Sequence, residues 1–368
     1  MMNLEDYKNL DFINALLQTP DQVIDKLDLI YVYDDSLSIE RIKKEKDFDY
    51  LHKGKPLRDS DQLERIDNLV IPPAWQQVKI AYPFNGHLQA VGRDLKNRKQ
   101  YRYHPLWNQV RNQTKFLKMA NFGHQLPKIR ARVDADLEKS GWPKEKVLAL
   151  VIRLMEETHI RIGSRQYAKR NKTYGLATMR TRHVSVVKDN LKFHFVGKKG
   201  KEHSVSLRNK KLARLVNRCE EIPGWELFQY YDEDGVKHTI DSSMINEYIH
   251  DICGELFTAK DFRTWAGTSI FFETIVELGI ASSEKEKKQH LLTAFDATAK
   301  ELGNTRNVCR KYYVHPMVVH RYTNDSIAED FKKLDALNEQ REYLSDSEIV
   351  LLEMMENYTP RFIKDILE

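Results

Sequence analysis

The 368-residue chain has only three cysteines, Cys219, Cys253 and Cys309, and no two of them form a C-x-x-C pair. That scarcity excludes a disulfide framework and a zinc knuckle, and reduced thiols are the expected state. Fifteen glycines and eleven prolines are too few for a low-complexity chain, while 41% hydrophobic and 31% charged residues describe a globular protein with material for more than one core. No run approaches the roughly 18 consecutive apolar residues of a membrane span, and the start, MMNLEDYKNLDF, lacks the basic n-region and apolar run of a signal peptide. The expectation is a soluble cytoplasmic protein with no membrane partner. Also missing are a G-x-x-x-x-G-K-[ST] loop, a G-x-G-x-x-G turn, H-E-x-x-H and G-x-S-x-G, and the 13 histidines are scattered. Neither ATP nor a metal is indicated, and no cofactor is expected.

What is present is charge, unevenly placed. The formal net charge is only +5, yet residues 1–50 hold 6 basic and 12 acidic side chains and residues 325–368 hold 5 and 12. The 274 residues between carry 48 bases against 30 acids, a surplus of 18. Such a block is the electrostatic footprint of a polyanion binder, and nucleic acid is the first hypothesis.

Periodicity divides the chain into an α+β arrangement. Residues 1–28 read as a helical extension, because apolar residues recur at helical spacing as far as Thr19-Pro20. Residues 29–107 read as a small β-rich domain. Its expected strands are Leu29–Tyr33 and Val78–Tyr82, with a return strand His87–Val91, and Lys53-Gly54-Lys55-Pro56 is an expected turn. From 108 to 325 the pattern becomes mainly helical. Val147–Ile162 forms a long apolar-faced stretch, residues 184–207 alternate as a β-hairpin turning at Gly197-Lys198-Lys199-Gly200, and helices are expected over 208–220, 241–257, 267–278 and 284–302. Residues 326–368 read as an acidic helical tail, with a helix over 326–343.

Two basic segments interleave with aromatics. Residues 92–103 carry five bases and one acid, and in an extended conformation Tyr101 and Tyr103 share a face with Lys96, Arg98 and Arg102 able to reach flanking phosphates. A solvated basic loop whose tyrosines cap the domain core explains the composition equally well. Residues 153–182 hold eight bases and two acids, and Arg161 lies between Ile160 and Ile162. An arginine inside an apolar run needs an anion or a buried acceptor. Arg263 lies between Phe262 and Trp265, and Gly303-Asn304 precedes Tyr313-Val314-His315-Pro316. Each signal alone is weak, since a tyrosine is far more often packing than nucleophile.

In order, Arg161, Lys198, Arg263, Asn304 and Tyr313 resemble the active-site set of type IB DNA topoisomerases, in particular the poxvirus-type and bacterial branch. The resemblance extends from Ile71-Pro72-Pro73-Ala74-Trp75 to Tyr313-Val314-His315-Pro316 and is weaker in residues 1–28 and after about 325. It implies that Tyr313 attacks a backbone phosphorus to form a 3′-phosphotyrosyl link and that Lys198 protonates the leaving 5′-oxygen. Arg161, Arg263 and Asn304 would stabilise charge. Histidine is usual at the Asn304 position in the poxvirus pattern, and asparagine can donate a hydrogen bond there but cannot shuttle a proton.

The same resemblance implies a C-shaped clamp around duplex DNA, formed by the β-rich and the mainly α domains. Arg98, Gln100, Tyr101 and Tyr103 would lie on one side, with Ser164 and Tyr167 on the other, and Lys260 would add positive charge near the scissile phosphate. Asp261 would hold neighbouring basic side chains in place. The enzyme would be a monomer, independent of ATP and metal, relaxing both signs of supercoiling, and nucleoid-associated if bacterial. Two alternatives remain at this point: a tyrosine recombinase, which typically has a histidine where this chain has Lys260, and a non-catalytic DNA-binding protein. Tyr312 competes with Tyr313, and the spacing from Asn304 favours Tyr313.

Overall fold

Short antiparallel strands organise the first of two units into which the chain divides; the computed structural model describes residues 6, 9–45, 47–337 and 341–360. The first unit runs to Lys118 and the second spans Met119–Tyr358. Helix α1 (Leu10–Gln18), capped by Asn9, buries Phe12, Ile13 and Leu16. Next come β1 (Ile39–Lys43), β2 (Phe48–His52), β3 (Lys55–Pro56), α2 (Ser60–Asn68), β4 (Gln76–Ile80), β5 (Leu88–Arg93) and β6 (Lys99–Tyr103). The six strands form one sheet in the order β3-β2-β1-β4-β5-β6, antiparallel throughout. Period-two alternation puts Ile39, Val78, Ile80 and Ala90 on the face that packs with Ile66 of α2. Arg41 donates to the carbonyls of Ile71, Pro72 and Trp75, which fastens the Ile71–Trp75 segment to the sheet.

Leu29–Tyr33 is not the strand its composition suggests. It makes a single bridge, Ile30 to Gly86, and the Val32 N–H donates to the His87 imidazole at 3.0 Å instead of to a neighbouring strand. A side chain thus takes the place of a ladder carbonyl, and the segment turns into a 3-10 helix at Asp34–Ser36. Helix α3 (Pro105–Leu117) runs through the expected domain boundary and belongs to the first unit, so the two units part at Lys118/Met119 rather than at 107/108.

The second unit is mainly helical. It contains α4 (Met119–Leu137), α5 (Lys144–Thr158) and α6 (Arg165–Asn171), then β7 (Val184–Val187), β8 (Asn190–Val196) and β9 (Glu202–Arg208) as a three-stranded sheet, followed by α7 (Lys210–Glu220). A two-stranded ribbon, β10 (Gln229–Tyr231) and β11 (Lys237–Thr239), leads to α8 (Ser242–Cys253), α9 (Ala259–Leu278), α10 (Glu284–Glu301), α11 (Arg306–Tyr312), α12 (Pro316–Thr323), α13 (Ile327–Ala336) and α14 (Asp346–Glu356). The chain is therefore mixed helix and sheet. Among the described residues no helix is long and apolar enough to cross a membrane.

The segment read as an acidic tail is part of this core. In α14, Ile349, Val350, Leu351, Leu352, Met354 and Met355 are all buried. Glu348 receives Arg130 of α4 in a two-pronged pair at 2.8 Å and the indole N–H of Trp265 in α9 at 2.8 Å, while Arg130 also holds Glu156 of α5 at 2.9 Å. A buried carboxylate is tolerable only when paired and hydrogen-bonded, and Glu348 has both. Some of the tail's acidity is therefore internal wiring. The expected helix over 326–343 stops at Ala336, and residues 338–340 lie outside the described residues.

Candidate active site

The site begins where α5 stops. His159 caps the helix in the left-handed conformation (φ 53°), so the chain leaves as an extended segment and Arg161 is not helical, although the apolar pattern runs to Ile162. The backbone of that segment is pinned: the Leu176 N–H donates to the Arg161 carbonyl at 2.9 Å and the Ala177 N–H to Ile162 at 2.7 Å. Only a glycine fits opposite, because a Cβ on Gly175 would collide with the Arg161 carbonyl.

Helix α9 starts eight residues earlier than its apolar pattern predicts, at Ala259 instead of 267. The cause is a capping box, in which the Asp261 carboxylate accepts the Thr258 N–H at 2.9 Å. Asp261 thus caps the helix that carries Lys260 and Arg263. Lys260 is exposed on the same first turn, whereas Arg263 is buried between Phe262 and Trp265. Arg263 donates one Nη to the His159 carbonyl and the other to the Leu302 carbonyl at 2.8 Å, which fixes the guanidinium plane. Its Nε is buried with no hydrogen-bond partner among the described residues.

A third element supplies the last two residues. After α10, Gly303 turns with φ 59°, Asn304 donates its N–H back to Ala299 at 2.9 Å, and α11 ends at Tyr312. The Asn304 carbonyl oxygen accepts from Arg161 at 2.5 Å, leaving its buried Nδ2 without a partner among the described residues. Cys309 lies alongside, but burial pushes its thiol up to about 11, and a protonated thiol is a weak acceptor. Tyr313 packs on Ala299, Leu302 and Cys309, and its ring centroid is 5.3 Å from the Arg263 guanidinium carbon. The Thr268 hydroxyl sits 3.2 Å from the Tyr313 carbonyl and accepts the His315 N–H at 3.1 Å. A side chain at Gly267 would press on Tyr313 Cβ at 3.0 Å. Tyr312, by contrast, is 39% exposed, with Lys311 over its ring.

Four of the five residues named from sequence, Arg161, Arg263, Asn304 and Tyr313, therefore form one connected cluster. Lys198 stands at the turn between β8 and β9, exposed, and faces the same cleft of about 160 Å³ as Arg161 and Arg263. Burial pushes the Tyr313 phenol up, but the charges of Arg263 and Arg161 and their hydrogen bonds pull it further down, to below the ordinary tyrosine value. Burial and the neighbouring Arg161 lower Arg263 to about 10, still cationic at neutral pH. His159 falls to about 4 through burial and Arg263, and is neutral.

Sequence reasoning missed His203 of β9. Its ring stacks on Phe195 (centroids 5.2 Å) and is flanked by Gly197 and Gly303, where a Cβ would come within 2.6 and 2.5 Å of it. One imidazole thus fills the space between the turn bearing Lys198 and the turn bearing Asn304. Burial first, then Arg161, Lys201 and Arg263, lower its pKa, so it acts as a neutral spacer. The available signal was hairpin register: closing the turn at Gly197–Gly200 sets His203 directly opposite Phe195 across β8 and β9.

The residues expected to face DNA divide between the units. In the first, Tyr101 and Tyr103 project from one face of β6 with their rings 5.9 Å apart and nearly parallel. Arg98 and Gln100 are both hydrogen-bonded to Asp94, at 2.8 and 3.0 Å. In the second, Ser164 is the N-cap residue of α6 without a side-chain capping bond, and Tyr167 on that helix is 59% exposed.

Residues 104–341 match the family model described as the eukaryotic DNA topoisomerase I catalytic core, and residues 47–94 match that of the bacterial DNA topoisomerase IB N-terminal domain. The chain is 31% identical over 305 residues to the DNA topoisomerase 1B of Acanthamoeba polyphaga mimivirus, a match that covers 80% of this chain and 90% of that protein. It is 24% identical over 252 residues to the DNA topoisomerase 1B of vaccinia virus (67% and 74%), and 26% identical over 246 residues to the DNA topoisomerase 1 of rabbit fibroma virus (64% and 72%). With a catalytic-core match over more than half its length and these relatives, the chain belongs to the type IB DNA topoisomerases, isomerases that break and rejoin DNA.

Proposed function

We propose that Tyr313 is the nucleophile of this topoisomerase and that Arg161, Arg263, Asn304 and Lys198 carry the rest of the reaction. The observation behind this reading is a pair of buried donors in the cluster that holds Tyr313, Arg263 Nε and Asn304 Nδ2, which have no hydrogen-bond partner among the described residues. Unpaired buried donors are costly, and a phosphate's nonbridging oxygens would satisfy them. The Tyr313 oxygen bonds to phosphorus, its proton passes to solvent, and the P–O5′ bond breaks with Lys198 protonating the departing oxygen. The strand's 3′ side stays on the enzyme as a phosphotyrosine.

The two guanidiniums oppose the charge that develops at phosphorus and favour the phenolate that attacks. The phosphotyrosine conserves the energy of the broken bond, so the 5′-hydroxyl reseals the strand without ATP. Between the steps the free end swivels, and supercoils of either sign relax. In this reading the two units close as a C-shaped clamp on the duplex and the enzyme works as a monomer in the cytoplasm.

The test is relaxation of positively and negatively supercoiled plasmid in excess chelator without ATP. Wild type relaxes both and Tyr313→Phe relaxes neither; residual activity in the variant, or an adduct mapped to Tyr312, would overturn the assignment. Lys198→Ala slows cleavage, and a 5′-bridging thiolate, which needs little protonation to leave, restores it.

A further inference from the structure

A second cavity in the Met119–Tyr358 unit, about 350 Å³ in volume, is walled by Arg165, Lys169, Lys172, Arg180, Tyr174 and Glu226. It adjoins the catalytic cleft, because Tyr174 lines both. The Tyr174 N–H also donates at 2.8 Å to the carbonyl of Val196, two residues before Lys198. Four cationic side chains meet one carboxylate here, and among the described residues none of the four is ion-paired. Arg165 is held by the backbone carbonyls of Thr239 and Ile240, both at 3.1 Å, which orient it without neutralising it.

Arg180 has the most specific setting. Its guanidinium carbon lies 5.5 Å from the Tyr174 ring centroid and 5.8 Å from that of Trp225. A backbone bridge between Arg180 and Glu226, and a 3.1 Å bond from the Thr181 N–H to the Trp225 carbonyl, keep the Trp225 loop in place beside it. Trp225 is nonetheless 68% exposed. These cation–π contacts hold the guanidinium beside the loop, and among the described residues its side chain has no carboxylate partner, which suits two oxygens of a phosphodiester. An indole held in the open beside it is a surface on which a sugar or base can rest.

We propose that this cavity binds the DNA backbone adjacent to the scissile phosphate, with Arg180 as its anchor and Lys172 and Lys169 as flanking contacts. Its position relative to the scissile phosphate rests on Tyr313 being the nucleophile; its binding of DNA does not. Its role is to retain the duplex while one strand is broken, through contacts that the chemistry at Tyr313 does not alter.

The test measures affinity for a fluorescent duplex as a function of salt, in the full chain carrying Tyr313→Phe so that no cleavage intervenes. Each phosphate that the protein ceases to neutralise lowers the slope of log K against log salt by about 0.9. Adding Arg180→Ala and Lys172→Ala together lowers the slope by roughly 2 and weakens binding at low salt at least tenfold. Trp225→Ala, at a position 68% exposed, weakens binding severalfold with little change in slope. Lys188→Ala, at the opposite end of β8, leaves both unchanged. An unaltered slope in the double variant overturns the proposal, as does an equal change from Lys188→Ala, which would mean diffuse charge. Binding of inorganic tripolyphosphate that depends on Arg180, with the DNA slope unaltered, would assign the cavity to small anions and equally overturn it. Should Tyr313→Phe retain relaxation activity, the catalytic assignment fails while the slope still reports on the cavity.

Discussion

Two basic segments look alike in composition and differ in what their charge is doing. In residues 92–103 two of the five cations are neutralised by carboxylates, Arg98 by Asp94 and Lys99 by Asp34, while Arg102 donates to the neutral Val70 carbonyl at 2.7 Å. In residues 153–182 Arg153 is paired with Asp134, but Arg161 leans on a neutral amide, Arg165 on backbone carbonyls, and Arg180 on aromatic rings. Neutral partners orient a cation and leave its field intact, whereas a carboxylate cancels it. A count of bases therefore measures potential for polyanion binding, and the partners determine how much is available. The +18 central block holds both kinds.

Exchanging the partners tests this contrast. The largest effect is expected at Arg161: Arg161→Ala lowers single-turnover cleavage by about 10²- to 10³-fold, the usual loss for a preorganised donor to a charged transition state. Arg98→Ala lowers it by no more than about twofold, since an exposed paired cation contributes little. A large effect at Arg98 would erase the distinction. Next comes pH. With the 5′-thiolate substrate, so that Lys198 protonation does not intrude, cleavage rises with pH and levels off at a point below the ordinary tyrosine pKa, because the arginines favour the phenolate. Arg161→Gln removes one of those charges and moves the inflection to higher pH. An unmoved inflection would show that Arg161 does not act on Tyr313.

Smaller effects are expected in the first unit. Asp94→Asn releases both Arg98 and Gln100, and duplex affinity at low salt rises severalfold with the salt slope steepening by about 0.9, one added phosphate contact. Weaker binding would mean that Asp94 holds the loop in its DNA-binding shape. The smallest change is predicted for Lys99→Ala, about twofold or less in affinity, because Asp34 already occupies that ammonium.

The proposed set, Arg161, Lys198, Arg263, Asn304 and Tyr313, stood out through its order and the resemblance that order carries, each residue alone being a weak signal; four of the five meet in one cluster of the fold. What eluded sequence reasoning depends on long-range partners. Leu29–Tyr33 has strand composition, but its ladder position is taken by the His87 ring. The start of α9 was hidden because its first turn is set by the Thr258–Asp261 box, whose polar residues do not register in an apolar periodicity. His203 gave no sign of its place between two glycine turns that are remote in sequence. The commitment of Lys99 to Asp34 joins residues 65 apart, and no local pattern announces it.

The placement of α14 has a consequence in time. Every group proposed for strand breakage, up to Tyr313, is synthesised before Glu348, which ties together Arg130 of α4 and Trp265 of α9. Arg263 lies on the same helix as Trp265, on its first turns, so the helix that presents it is braced by a segment that arrives later. A nascent or prematurely terminated chain ending between Tyr313 and Glu348 would hold all the chemistry and lack the brace, leaving Arg130 with Glu156 alone and the Trp265 indole N–H without its acceptor. Such a product should be unable to nick DNA, and a chain ending at residue 344 assayed for covalent adduct would reveal whether it can. If that chain forms no adduct, DNA breakage waits until translation has passed the helix that braces α9.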